Sequence, residues 1–421
     1  MGIRLGIIAD DFTGATDIAS FLAQSGWWVI QLNDIPAGGG DVVAADAVVL
    51  SLKSRSCPAE RAVALSLQAA EYLQTQGCQR LYFKYCSTFD STPKGNIGPV
   101  TDMLLELTGS PMAVLCPALP VNGRTVVHGH LFVNGELLNE SGMKNHPLTP
   151  MTDASLMRVM AQQSQGECGL VSLDQVRAGK AAVRAQLHYL QQKGVRYAVL
   201  DAMTYEDLST LAAALPEELL LTGGSGLAGA LAALEPKVGS VTKQIMPKMA
   251  GQSLVLAGSC SVMTNRQVEF YRQIAPSQAI DVERALNDST TYLQELINWF
   301  QAQPSGLAPM LYATRPADEV KAIQQRFGVA AAGNAIESLF AILAERLAEL
   351  GVNKFIVAGG ETSSLLVQRL GVSGFVIGDA IAPGVPWVKD VHRDLWLALK
   401  SGNFGENNFF IKAQEFYHES Q

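Results

Sequence analysis

Apolar positions in this chain fall into short blocks rather than long periodic stretches. Leu5–Ala9 is an uninterrupted apolar run closed by Asp10-Asp11, and beyond it Ala15, Ile18, Ala19 and Leu22 recur at helical spacing. That pattern predicts a buried strand, a polar loop and a helix. The same rhythm repeats. Runs over Val29–Leu32, Ala47–Leu52, Leu81–Lys84, Met112–Cys116, Tyr197–Asp201 and Leu219–Leu221 predict strands, with helices such as Ala59–Gln74 and Lys180–Gln192 between them. Strand–helix alternation implies an α/β fold with a mostly parallel sheet covered by helices on both faces. Thr125–Leu138 departs from it: Val126, His128, His130 and Phe132 alternate as in one strand, and Asn134-Gly135 is a hairpin-turn signal, so a small antiparallel insertion is predicted there. The texture changes again at Pro236, Lys237, Gly239, Ser240, Pro247, Lys248 and Gly251. Residues 236–252 read as a linker between two α/β domains, 1–235 and 253–421. Strands at Ser253–Ala257, Pro309–Tyr312 and Lys354–Ala358, and helices at Asp288–Gln301 and Asn334–Leu350, restart the pattern in the second domain.

Composition narrows the classes. The chain has 421 residues, enough for two or three domains, and 48% hydrophobic with 17% charged residues is a globular balance. A net charge of −8 supplies no basic field, which argues against nucleic acid and anionic membranes as partners. The six cysteines show no paired spacing, and no apolar run approaches the ~20 residues of a membrane span, so a cytoplasmic protein with reduced thiols is expected. The six histidines form no zinc-type pair with a glutamate, and metal ligands are left unassigned.

Candidate chemistry lies in loops that leave strand ends, where open α/β sheets bind ligands. Asp10 and Asp11 leave the first strand side by side; they fit either a polyhydroxylated substrate or a simple helix cap. Lys84–Asn96 crowds Lys84, Lys94, Asp90 and Ser/Thr hydroxyls into one loop that ends at a helix start, a receptor for a small carboxylate or a capped turn. Gly359, Gly360, Glu361 and Thr362 lie between a strand and a helix, so a phosphate cradle or a capped turn fits; Gly258-Ser259 repeats the arrangement, and Gly402 and Gly405 offer a third, weaker glycine loop. Gly224–Gly229 matches a dinucleotide fingerprint but lacks the acidic residue ~20 positions on, which favours close helix–strand packing. His392-Arg393-Asp394-Leu395 resembles a protein-kinase word only in isolation, and no Walker A sequence is present.

Taken together, Ala9–Ala15, the Lys84–Asn96 loop, Thr222–Gly226, Gly258-Ser259 and Ala358–Thr362 resemble the four-carbon acid sugar kinase family, in order and over nearly the whole chain. Tyr85–Val100 with Leu119–Arg124 is most similar to its 3-oxo-tetronate branch, since Pro93-Lys94 stands where threonate and erythronate kinases carry Leu-Arg. The resemblance implies an N-terminal sugar-acid-binding domain, a C-terminal nucleotide-binding domain, and phosphorylation of a C4 acid at O4 by ATP with Mg²⁺. It places Asp10, Arg55, Lys84, Ser91, Thr92 and Lys94 on the sugar acid. Ser259, Gly359, Gly360, Glu361, Thr362, Gly402 and Gly405 would hold ATP. Asp11, with Asp90 as the alternative, would accept the O4 proton. Threonate or erythronate as substrate, and a non-catalytic sensor, stay open, as does a homo-oligomeric state.

Overall fold

The computed structural model describes residues 2–36, 45–145, 149–235 and 247–417. Residues 236–246 of the expected linker, and His146, Pro147 and Leu148, lie outside these. The chain divides into two compact units, Met1–Thr242 and Lys243–Gln421.

In the first unit the strands are β1 (Leu5–Ala9), β2 (Val29–Leu32), β3 (Ala47–Ser51), β4 (Arg80–Lys84), β5 (Ala113–Cys116), β6 (Arg124–Val127), β7 (His130–Val133), β8 (Glu136–Leu137), β9 (Cys168–Val171), β10 (Tyr197–Leu200) and β11 (Leu220–Gly223). The main sheet runs β2-β3-β1-β4-β11-β5-β10-β9, with every pair parallel. β1, β3, β5, β10 and β11 are buried along their whole length, which is why they read as continuous apolar runs. From β1 the chain moves outward to β2 and β3, then returns to β4 on β1's other side. This order reversal makes the carboxyl end of β1 a topological switch point, the position where such sheets bind ligands.

The insertion is present, but its alternation is interrupted. β6, β7 and β8 form an antiparallel sheet of their own, and between β6 and β7 the backbone turns through His128 and Gly129, both at positive φ. His128 and His130 therefore do not share one strand. The cause is distant in sequence: the buried Asp201 carboxylate accepts the N–H groups of His128 (2.7 Å), Gly129 (2.8 Å) and Leu173 (3.0 Å), which fixes the turn. Asn134-Gly135, both at positive φ, makes the second turn as its sequence predicts.

The second unit contains β12 (Gln252–Ala257), β13 (Ser277–Ala279), β14 (Met310–Tyr312), β15 (Val352–Ala358), β16 (Gly374–Ala382), β17 (Val385–Asp390) and β18 (Trp396–Lys400). Their order is β13-β14-β12-β15-β18-β17-β16, parallel from β13 to β18 and antiparallel for the last two pairs. His392-Arg393-Asp394 is the turn between β17 and β18, pinned where Asp390 accepts the His392 N–H (2.8 Å) and the Arg393 Nε–H (2.7 Å). Under the sheet, Trp387, Trp396, Tyr271, Phe409 and Phe410 pack into one core, with the Tyr271 and Phe410 rings edge to face at 5.5 Å. Among the described residues no single helix is long and apolar enough to cross a membrane.

Candidate active site

At the β1 switch point the predicted residues Asp10, Asp11, Arg55 and Lys84 converge. Asp11 is the N-cap of the helix Phe12–Gln24: its Oδ1 accepts the Gly14 N–H at 2.8 Å and its Oδ2 accepts the Thr13 hydroxyl at 3.0 Å. Arg55 binds Asp10 with both arms of its fork, Nε to Oδ2 at 3.0 Å and Nη2 to Oδ1 at 2.7 Å, and Nη2 lies 2.8 Å from Asp11 Oδ1. Burial pushes the Asp10 carboxyl up while the guanidinium pulls against it; Arg55, despite its own desolvation, is lifted well above its ordinary value by the two carboxylates. A capped turn alone needs one carboxylate, so Asp10 and Arg55 exceed that role.

Contacts from one side chain to three carbonyls hold the Arg55 loop in place. Asn96, buried at the end of the Lys84–Asn96 loop, donates from Nδ2 to the carbonyls of Ser54 (2.6 Å), Arg55 (3.1 Å) and Cys57 (3.0 Å). No motif in the sequence marks Asn96 for this task. Lys84, at the carboxyl end of β4, is buried and donates from Nζ to the Tyr85 carbonyl at 3.0 Å. A Cβ built on Gly14 would lie 3.0 Å from that ammonium, so the glycine lets Lys84 approach the helix start.

The other sugar-acid candidates lie further along the same loop. Asp90 Oδ1 accepts the Thr88 hydroxyl at 2.5 Å. The Cys86 thiol, 2.9 Å from the Thr88 hydroxyl, is pushed up to about 11 by burial, with the Asp90 charge adding and Arg55 opposing. Ser91 is turned inward, donating to Gln163 Oε1 at 2.9 Å, while Lys94 is exposed. Ser91 and Thr92 also line a cavity of about 460 Å³ with Asp153, Arg158 and Gln162.

In the second unit the carboxyl ends of β12, β15 and β18 lie side by side, and the loops they release hold the nucleotide candidates. Gly258 and Ser259 donate their N–H groups to the Ala358 carbonyl at 2.9 and 3.0 Å, and the Gly359 N–H bonds the Lys400 carbonyl at 2.9 Å. Gly359, at φ +138°, caps the helix Gly360–Arg369 in a conformation that side-chain-bearing residues rarely adopt. A Cβ at Gly360 would meet nothing nearer than Ser401 Oγ at 4.0 Å, so open space faces that helix N-terminus, where phosphate oxygens bind well. At Gly402 the opposite holds: a Cβ would collide with the hydroxyls of Ser259 and Ser261, 2.8 Å from the latter's oxygen. Thr362 is buried and Glu361 exposed in the helix's first turn, and Gly405, at φ +77°, turns the chain against Phe409.

Residues that no motif marks brace these loops. Thr314 donates to the Ser259 carbonyl (2.8 Å), Thr264 to that of Gly402 (2.8 Å), and Gln267 to those of Phe404 (3.0 Å) and Glu406 (2.9 Å). Lys400, buried at the end of β18, donates to Ser401 O (3.0 Å), Gly402 O (2.9 Å) and Thr264 Oγ1 (3.1 Å), while burial pulls its ammonium down to about 7. Gly224–Gly229, in the first unit, serves packing through its glycines. It opens the buried helix Ser225–Leu234, and Cβ atoms at Gly226 and Gly229 would press on Ala118 O at 2.6 Å and on the Phe21 ring at 3.2 Å, the close packing expected of it.

Comparison with known proteins bears on both units. A family model described as a sugar-binding N-terminal domain matches residues 5–231, and one described as a nucleotide-binding C-terminal domain matches 254–410. The 3-oxo-tetronate kinase of Brucella melitensis biotype 1 is 54% identical over 98% of this chain and 95% of its own, and that of Salmonella typhimurium 53% over 98% and 99%. A crystal structure from Salmonella typhimurium LT2, under a provisional tRNA synthase description, superimposes with a TM-score of 0.93 at 52% identity, covering 98% of this chain and 99% of its own. A Haemophilus influenzae structure gives 0.86 at 52%, covering 98% and 100%. With both domain models matched in order and full-length relatives at this identity, the chain belongs to the four-carbon acid sugar kinase family, in its 3-oxo-tetronate kinase branch.

Proposed function

We propose that this protein is an ATP-dependent kinase that transfers the γ-phosphoryl group to the C4 hydroxyl of 3-oxo-tetronate, giving the 4-phosphate. The carrying observation is the pair of sites at strand ends: an acid-and-cation cluster at the β1 switch point, and a glycine-lined cradle at the ends of β12, β15 and β18. Full-length relatives bearing the 3-oxo-tetronate kinase name support the substrate.

In this reading the first unit takes the sugar acid and the second takes ATP. The amides at the start of the helix Gly360–Arg369, with Ser259 and the Gly402 loop, hold the phosphates, and Mg²⁺ brought in with ATP would supply neutralising charge for the transferred group. Glu361, exposed in the first turn of that helix, is the carboxylate that would be available to such an ion. Lys84 balances the anionic acid. Asp11 accepts the O4 proton: of about four lone-pair sites on its carboxylate, Gly14, Thr13 and Arg55 occupy three, and one on Oδ2 stays open. Asp90, with one oxygen bonded to Thr88, is the second candidate.

ADP release measured with 3-oxo-tetronate, threonate and erythronate at one ATP concentration tests the assignment. The highest kcat/KM is expected for the 3-oxo acid. Preference for a hydroxy acid would move the substrate within the family, and no turnover with any of them would reject the kinase.

A further inference from the structure

Behind Lys84, polar groups with unmet hydrogen-bonding capacity meet in the interior of the first unit. Asp17 follows Gly14 by three residues and so lies on the same helix face. Its Oδ2 accepts the Ser225 hydroxyl at 2.5 Å, a contact between residues 208 apart, while its Oδ1 is buried without a hydrogen-bond partner. Arg124, at the start of β6, donates from Nη1 to the Asn122 carbonyl, and its Nε is likewise buried and unpartnered. Lys84 Nζ, with three hydrogens to give, makes its one bond among the described residues to the Tyr85 carbonyl. Lys84 and Arg124 are both close enough for their charges to act on Asp17, yet neither forms an ion pair with it among the described residues. A lone buried polar group without a partner gives up its bonds to water and gains none in return. Two cationic donors and one carboxylate acceptor with unmet capacity, near enough for their charges to act on one another, are the complement of a small molecule that carries an anion beside a hydroxyl.

We propose that Arg124 and Lys84 clamp the carboxylate of the four-carbon acid, and that Asp17, held by Ser225, accepts the hydroxyl on the neighbouring carbon. Arg124, Asp17 and Ser225 then determine specificity at the end of the substrate remote from phosphoryl transfer. Lys84 faces Gly14 together with Asp11 and Arg55, so it links this end of the substrate to the Asp10–Asp11–Arg55 cluster. The Nε of Arg124 and the Nζ of Lys84 supply the two charge-assisted bonds that a carboxylate accepts. This rests on the kinase reading above for the identity of the acid, but the arrangement of donors and acceptor does not.

The test compares 3-oxo-tetronate with the C4 ketose that carries a hydroxymethyl group in place of the carboxylate. Wild type is expected to prefer the acid; in Arg124→Met that preference in kcat/KM falls about 10²-fold or more, through KM for the acid, with the ATP KM unchanged. Asp17→Asn is expected to raise KM for 3-oxo-tetronate while leaving 4-hydroxy-3-oxobutanoate, which lacks the C2 hydroxyl, unaffected. If Arg124→Met does not fold, Arg124→Lys serves, since a lysine keeps the charge but not the Nε donor, and it too must lose acid preference. An unchanged acid-to-ketose ratio in the folded variant overturns the proposal. Thermal stabilisation by threonate, erythronate and 3-oxo-tetronate separates it from the kinase reading: stabilisation by any of these acids in wild type, lost in Arg124→Met, supports the clamp even if none of the acids is turned over.

Discussion

Gly360→Val separates folding from nucleotide binding because of the space around Gly360. A Cβ there would stand 4.0 Å from Ser401 Oγ, the nearest atom outside its chain neighbours and its own helix backbone, and its φ is not in the left-handed region, so the added Cβ meets neither a clash nor backbone strain. Valine is a somewhat better helix former than glycine, by a few tenths of a kcal/mol, so the melting temperature should stay within about 2 °C of wild type. The two methyl groups instead occupy the room in front of the first helical amides, where phosphate is proposed to sit. Losing one charge-assisted bond costs about 1.5–3 kcal/mol, which raises the ATP KM by roughly 10–150-fold. ATP KM is measured by ADP release and sugar-acid affinity by calorimetry without nucleotide. An unchanged ATP KM, or equal loss of both affinities, would refute the division of ligands between the units.

Asp11→Asn should retain most of the helix cap, since asparagine caps as well as aspartate, yet lower kcat by roughly 10²–10⁴, the usual worth of a general base. If it stays within a few-fold of wild type and Asp90→Asn carries the loss, the proton acceptor is Asp90. Gly402→Ala, unlike Gly360→Val, should lower both the melting temperature and the ATP affinity, because the new methyl collides with Ser259 and Ser261; a normal melting curve would contradict the close approach. Lys400 makes stability depend on pH. With the folded value lowered to about 7 from 10.5, the unfolded chain holds the extra proton between these values, so this residue's contribution rises with pH through that window and is lost as pH falls through about 7. The difference between wild-type and Lys400→Met denaturation curves from pH 6 to 10 isolates that term, and a difference independent of pH would count against it.

Local physics made the framework legible in the sequence. β1, the cap at Asp11 and the Asn134-Gly135 turn follow from periodicity, a short acceptor side chain and a φ preference, each complete within a few residues. So do the glycine loops after β12 and β15. Antiparallel β16 and β17 are not legible in the sequence because their strand character comes from pairing with each other and, for β17, with β18, and the break at His128 is not because it depends on Asp201, 73 residues away. The same limit applies to the site. Asp10 and Asp11 were visible as a pair, but that Arg55 grips Asp10, that Asn96 fixes the Arg55 loop, and that Ser225 meets Asp17 are decided by strand order, which brings the ends of β1, β4 and β11 together. A buried apolar run carries no record of its neighbours in the sheet. The chemistry at each strand end was therefore readable from sequence, whereas which strand ends share a site was set by the parallel register that buries them.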